Sequence, residues 1–355
     1  MLWSAEAEPL GVGQLLSGEP LELIKAVQDP STGLRACIAI HNTARGAAFG
    51  GCRMKAYASE EEAIADAGRL AEGMTYKNAL AGLPFGGGKA VIMQPEQIAD
   101  RKDFFKSFGR EVARLKGKYI TAEDVGTTPA DMRAVHLVTS YVSGIPRARQ
   151  FGGDPARFTA LGVLHSIEAA CAPLLGRRSL DGLKVGIQGL GAVGSQLCAL
   201  LAACGADLWV ADVHPMRAAD AADRWNARIV SSGMLFQMDL DVLAPCAVGG
   251  VLDAASIEGL NAKIVAGAAN NQLATIEDGD RLHERGVWYL PDFLVNAGGI
   301  IAVAREYLGT GTEEIVRHEV RQIAMRVEEL IRVVTKSDVA PARVALSWAK
   351  SLVRP

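Results

Sequence analysis

The chain predicts a two-domain α/β protein, a mixed α/β domain followed by a doubly wound parallel sheet, and three observations lead there. Its 355 residues exceed one ordinary domain and suit two, each able to bury a core. From Leu183 onward short apolar strands alternate with helical segments. At the first of those strand-to-helix turns stands a G-x-G-x-x-G run, Gly189-Leu190-Gly191-Ala192-Val193-Gly194.

The first domain is read over residues 1–145. Leu21 to Val27 and Leu34 to His41 are strand-like runs around Asp29-Pro30-Ser31-Thr32-Gly33, whose Asp, Pro and Gly supply turn geometry, so a hairpin opens it. Ser59 and Glu62 form a capping box, after which Ile64, Ala67, Leu70, Ala71 and Met74 recur at helical spacing and carry the helix to Lys77. A strand from Ala90 to Met93, a helix capped by Asp100 and a strand from Tyr119 to Val125 follow, which places Lys89 and Asp124 at strand ends.

The second domain is read over residues 146–334. Strands are expected at Lys184 to Gln188, Asp207 to Val213, Val242 to Cys246, Lys263 to Ala269 and Trp288 to Leu290, with helices at Ala192 to Cys204 and Pro215 to Ala227. Two late helices, roughly Glu313 to Val334 and Ala342 to Leu352, end the chain, and the segment 335–355 is expected to pack back on the first domain. The cleft between domains is the expected active site.

Composition excludes several classes. Hydrophobic residues at 49% and charged residues at 22% are those of a globular protein. A formal charge of -3 with interspersed signs gives no basic stripe for nucleic acid or membrane lipid. The stretch Met1 to Pro20 lacks a basic region followed by an apolar core, and no window offers eighteen apolar residues, so a cytoplasmic protein is expected. The 6 cysteines include no C-x-x-C pair and the 6 histidines form no ligand spacing with them, so neither disulfides nor a metal site is expected.

The glycine fingerprint lies between a strand and a helix, and Asp212 closes the next strand about 20 residues on, where a ribose-binding acid belongs. The glycines allow a tight turn and close pyrophosphate approach, and the helix beginning at Ala192 offers unpaired amides and a positive dipole end. Asp212 accepts from ribose hydroxyls and repels a 2′-phosphate, favouring NAD over NADP, although Arg217 lies near enough in sequence to blur the preference.

Lys77 and Lys89 flank a second glycine run, Gly86-Gly87-Gly88. A P-loop would need Gly at Leu83 and a hydroxyl at Ala90, so that reading fails. A lysine beside another cation and out of water can serve as a base near neutral pH. On spacing alone Lys77 reads first as a helix C-terminal lysine answering the macrodipole, and Asp124 equally as a satisfied strand-end carboxylate, so the trio stays open at this level.

Seven segments narrow it. Gly50-Gly51-Cys52-Arg53-Met54, Gly73-Met74-Thr75-Tyr76-Lys77, Gly86-Gly87-Gly88-Lys89, Glu123-Asp124-Val125-Gly126-Thr127, Ala244-Pro245-Cys246-Ala247, Gly267-Ala268-Ala269-Asn270-Asn271-Gln272 and Asn296-Ala297-Gly298-Gly299 resemble, in order, the Glu/Leu/Phe/Val amino acid dehydrogenase family, over roughly Pro20 to Ala340. The resemblance implies an N-terminal substrate and oligomerisation domain, a Rossmann NAD-binding domain, a homo-oligomer, and reversible NAD-dependent deamination of an L-amino acid to a 2-oxo acid and ammonia. It further implies that Lys77 holds the substrate carboxylate, Lys89 activates water and Asp124 relays protons, with Gly51 and Met74 beside the substrate. Asn270 and Asn296 would face nicotinamide ribose and substrate, Thr159 the carboxamide, and Ala247 the nucleotide. After Leu308 the likeness loosens, and Ala342 to Pro355 lacks a longer polar tail, which bears on assembly more than on chemistry.

Within the family, the positions that read a glutamate side chain are a lysine and a serine; here Phe49 and Val303 match them. An apolar pocket leaves a second carboxylate unsatisfied at a cost of several kcal/mol, so glutamate is disfavoured. Phe49, Ala122, Ile300 and Val303 resemble the branched-chain type of pocket, with Phe49 and Ile300 making it shorter than an aromatic substrate needs. An aromatic amino acid dehydrogenase is the nearest alternative. A non-catalytic NAD sensor or a purely structural oligomer leaves Lys77, Lys89 and Asp124 together unexplained.

Overall fold

The structure, a computed structural model, describes residues 20–145, 151–247 and 249–353. The expectation for the N-terminal stretch through residue 19 lies outside them. The chain divides into two compact units, one of the residues through Asp154 with Ala302–Glu313 and Ala349 onward, the other of Pro155–Ile301 with Glu314–Trp348.

The first unit contains β1 (Leu23–Asp29), β2 (Leu34–Asn42), β3 (Ala48–Lys55), α1 (Glu60–Leu80), β4 (Gly86–Met93), α2 (Arg101–Arg114), β5 (Tyr119–Glu123) and α3 (Pro129–His136). The expected hairpin pairs Leu23 with Ile40 and Asp29 with Leu34; Asp29 accepts the Ser31 amide, and Gly33 takes a positive φ of 76°. The sheet runs β1-β2-β4-β3-β5, antiparallel through β4 and parallel across β3 and β5. Alternation along β2 makes a three-layer sandwich. Ala36, Ile38 and Ile40 face Phe104, Phe105 and Phe108 of α2, while Cys37 and Ala39 face Ala63, Ala67 and Leu70 of α1.

Ser59 caps α1 by accepting the Glu62 amide, but Glu62 reaches past it to the Ala58 amide, so only half of the expected box forms. Strand β3 was not anticipated, because Gly50, Gly51 and Arg53 break the apolar pattern. Strand β4 begins at Gly86, so Lys89 sits in mid-strand, opposite Ala39, and not at a strand end. Asp124 does follow β5 directly.

The second unit begins with α4 (Ala156–Leu175) and continues through β6 (Lys184–Gln188), α5 (Ala192–Ala203), β7 (Asp207–Ala211), α6 (Pro215–Trp225), β8 (Arg228–Ile229), α7 (Ser232–Gln237), β9 (Leu240–Pro245), α8 (Ala254–Glu258), β10 (Ala262–Val265), α9 (Ile276–Glu284), β11 (Trp288–Tyr289) and α10 (Asp292–Val295). α11 (Gly298–Tyr307) starts there and ends in the first unit; α12 (Glu313–Ser337) and α13 (Pro341–Val353) follow. All six strands are parallel in the order β8-β7-β6-β9-β10-β11, the doubly wound arrangement whose direction of winding reverses between β6 and β9. Helix α4 is long and apolar enough to cross a membrane by length and composition, yet 56% of its apolar window is buried, as in a core helix.

The units divide at Asp154/Pro155, and of the C-terminal segment the residues up to Trp348 go with the second unit while Ala349 onward returns to the first. The cause is packing. α12 buries the stripe Val316, Val320, Ile323, Val327, Leu330 and Val334. Ala342 of α13 joins the core around β9 to β11, and Arg343 forks onto Asp280 of α9 at 2.7 and 2.5 Å.

Candidate active site

In the first unit, alternation along the strands sorts the chemistry onto one face. A Cβ at Gly87 would come 2.1 Å from the Thr75 amide, so that residue faces α1, and Lys89 and Val91 must do the same. Phe49 pairs with Gly87 and Arg53 with Val91, which puts Phe49 and Arg53 of β3 on this face too. Lys77, 8% exposed, lies in the last turn of the helix that covers it, and Met74 one turn earlier packs against Gly50.

Lys89 Nζ stands 2.8 Å from Asp124 Oδ2, with Lys89 almost fully buried. Gly51 makes this pair possible. A Cβ there would press within 3.0 Å of Asp124 Cβ and 2.7 Å of the Glu123 carbonyl. Lys89 therefore has an anion within hydrogen-bonding distance. Burial pushes the Asp124 carboxyl up, but Lys89 and Arg53 outweigh it and hold the carboxyl well below the usual carboxylate range. Its backbone is pinned as well, since the Asp124 amide donates to Thr127 Oγ1, whose hydroxyl can donate to the Cys52 carbonyl.

The Phe49 ring is 0% exposed, edge-to-face with Phe85 at 4.9 Å and tilted against Tyr307 at 5.8 Å. Ala122 at 4% and Val303 at 5% are buried in the same unit, and the Val303 carbonyl accepts from the Ser143 hydroxyl at 2.7 Å. Ile300 is buried within the second unit's share of α11. Two residues escaped the sequence reading as site members, Tyr307 and Arg53. Arg53 lay in plain view within a quoted motif, and the signal available was a charged residue in an otherwise small and apolar run.

Glu123, next to Asp124, has its carboxyl pushed up to about 7, by burial first and then by Asp154, Glu306 and Asp124. A folded-state value above the ordinary 4.5 means the native state is stabilised below that pH, and the contribution is lost as pH rises through about 7. Glu123→Gln should therefore stabilise the protein by about 1–2 kcal/mol at pH 8.5, after discounting for partial exposure, and leave it near wild type at about pH 4.5. Thermal melting at the two pH values checks this; an equal shift at both would assign the effect to packing.

In the second unit, the fingerprint follows β6 and Ala247 follows β9, at the two strands where the winding reverses. Ala247 packs against Gly189, and Gly194 has no room for a side chain because a Cβ would lie 1.9 Å from the Gly189 carbonyl. Gly191 faces open space at the N-cap of α5, leaving amides of Ala192 and Val193 at the helix start. Asp212 accepts the Leu190 amide at 2.6 Å and the His214 amide at 2.7 Å, with Arg217 3.9 Å away. Asn296 donates to Asn270 Oδ1 at 3.0 Å, and its own Oδ1 is buried with no hydrogen-bond partner among the described residues. The Thr159 hydroxyl lies against Gly299 at the start of α11. A glycine cradle, a ribose-type acid and an unsatisfied amide oxygen together fit a dinucleotide.

Such a cradle in one unit and a buried lysine–aspartate pair in the other define an amino acid dehydrogenase, an oxidoreductase. Residues 23–141 match the dimerisation domain of the Glu/Leu/Phe/Val dehydrogenases, and residues 215–345 match the Glutamate/Leucine/Phenylalanine/Valine dehydrogenase domain. The chain is 44% identical to the leucine dehydrogenase of Bacillus subtilis over 90% of its length and 87% of that protein's. It is 41% identical to the phenylalanine dehydrogenase of Bacillus thermotolerans, over 84% of this chain and 80% of that one. Among solved structures, the L-tryptophan dehydrogenase of Nostoc punctiforme superposes with a TM-score of 0.77 at 36% identity, covering 95% of this chain and 97% of that one. The chain belongs to the Glu/Leu/Phe/Val dehydrogenase family.

Proposed function

We propose that this chain is a cytoplasmic, homo-oligomeric enzyme that catalyses the reversible, NAD-dependent oxidative deamination of branched-chain L-amino acids. In balance, the amino acid, NAD⁺ and water yield the 2-oxo acid, ammonium, NADH and a proton. The observation that carries the reading is the Lys89–Asp124 pair at 2.8 Å, buried on the face covered by the helix that bears Lys77.

In this reading Lys77 binds the substrate carboxylate as a fixed counter-ion. Lys89, once neutral, takes a proton from the water that attacks the imino carbon, and Asp124 carries protons to and from the substrate nitrogen. Bound NAD supplies a hydride acceptor for the substrate Cα. Gly189, Gly191 and Gly194 with the amides of Ala192 and Val193 would cradle its pyrophosphate, Asp212 its ribose, and Asn270, Asn296, Thr159 and Ala247 would lie along the rest. The carboxylate of Asp212, placed by the Leu190 and His214 amides, favours NAD over NADP.

The substrate side chain should be apolar, because neither Phe49 nor Val303 can answer a second carboxylate. The positions that match the family's side-chain pocket carry the bulky apolar residues Phe49, Ile300 and Val303, which favours valine, leucine and isoleucine. The aromatic alternative draws on the phenylalanine and tryptophan dehydrogenase relatives. Initial rates with NAD across an amino acid panel decide it. Branched-chain substrates should lead phenylalanine by about 10-fold or more in kcat/KM, since one pocket methylene is worth roughly 10–200-fold. Phenylalanine or tryptophan in first place would assign the aromatic type, NADP preferred over NAD would remove the role given to Asp212, and no NADH from any amino acid would overturn the function.

A further inference from the structure

Arg53 lies directly behind the reacting pair, although no role in the proposed chemistry has yet been given to it. Its guanidinium bridges two carboxylates, Nε standing 3.3 Å from Asp124 Oδ2 and Nη1 3.2 Å from Asp66 Oδ2. All three side chains are largely buried, at 15%, 14% and 9% exposure for Arg53, Asp124 and Asp66. Asp66 is itself held by the Tyr57 hydroxyl at 2.6 Å. The groups around the guanidinium are thus Asp66 of α1, with Arg69 3.9 Å beyond it, Tyr57 after β3, Asp124 after β5, and through Asp124 the Lys89 ammonium of β4.

Asp124 Oδ2 therefore receives two cations, and only one of them can lose its charge during turnover. A guanidinium does not deprotonate in proteins, whereas the ammonium of Lys89 must give up its proton to act as a base. At that moment a buried carboxylate facing only a neutral amine would be without a counter-ion, at a cost of several kcal/mol, and would hold any proton it takes up too tightly to pass it on. A permanent charge 3.3 Å away on the same oxygen keeps that proton affinity low.

We infer that Arg53 is a positioning residue for the proposed chemistry: anchored by Asp66 and Tyr57, it holds the Asp124 carboxylate in place and keeps its proton affinity low, so that a proton taken from the substrate nitrogen is passed on while the proton on Lys89 leaves and returns. This rests on the roles proposed above for Lys89 and Asp124. The planar fork of arginine suits the task because one nitrogen meets each carboxylate, which a lysine cannot reproduce at both ends.

Removing a cation raises the proton affinity of every neighbour, whichever member of the coupled pair carries the proton, and removing an anion lowers it. The low-pH limb of kcat/KM for leucine deamination should therefore move toward alkaline pH by roughly a unit or more in Arg53→Gln, and toward acid pH in Asp66→Asn. Arg53→Lys, which restores the charge, should return the limb to within about half a unit of wild type. NAD affinity, measured by fluorescence titration, should stay near wild type in all three. An unmoved limb in Arg53→Gln, or limbs moving the same way in Arg53→Gln and Asp66→Asn, would overturn the inference and leave Arg53 a structural residue. Should Arg53→Gln fail to fold, the acid shift in Asp66→Asn and the limb in Arg53→Lys carry the test alone. A wild-type enzyme inactive on every amino acid overturns the proposed function instead, which keeps the two failures apart.

Discussion

Replacing Lys89 by Ala is expected to remove turnover while NAD binding remains near wild type. The side chain supplies the base and the ammonium of the buried pair, and positioned acid–base groups contribute roughly 10²–10⁴-fold in rate. The nucleotide cradle, by contrast, is built entirely from residues of the second unit, which has its own core around β9 to β11. Removing one partner of a buried pair usually costs stability, but Arg53 still faces Asp124 at 3.3 Å, so the variant should fold. Steady-state kinetics and NAD titration on the same preparation check both halves. A variant keeping more than about a tenth of the wild-type kcat would sink the role given to Lys89.

Asp124→Asn should be nearly as damaging, for a different reason. The amide keeps the shape but leaves Lys89 and Arg53, both buried, facing a neutral group where each had a carboxylate at 2.8 and 3.3 Å. Proton relay at the substrate nitrogen is lost with it, and kcat should fall by about 10²–10⁴-fold across the pH range. Melting temperature separates chemistry from folding: an Asn variant that melts near wild type yet turns over normally would show that protons travel by another route.

Much of this was legible in the chain. The fingerprint, the alternation after Leu183 and Asp212 at the end of β7 are near-neighbour patterns, and the doubly wound sheet appears with each of those elements within a few residues of its expected place. The site in the first unit was legible only as a set of motifs. β3 was missed because its two glycines and one arginine resemble a turn, yet it is the strand on which Gly51 makes room for the ion pair and Arg53 reaches it. The strand expected from Ala90 begins instead at Gly86, and within it Gly87 lets α1 lie directly on the sheet, a Cβ there coming 2.1 Å from the Thr75 amide. Phe49 matched a pocket position by its motif, while Phe85 and Tyr307 cover its ring.

By itself, then, the sequence determined the α/β class, the doubly wound sheet of the second unit and the glycine fingerprint that opens its α5. Local periodicity, capping residues and glycine spacing act over a few neighbouring positions and are written out in order along the chain. The tertiary structure decided which charges meet. Arg53 and Asp124 stand 71 positions apart, and whether a cation serves as a base, a clamp or a surface charge depends on the distance and burial of its partner, which only the packing of β3, β4 and β5 against α1 sets.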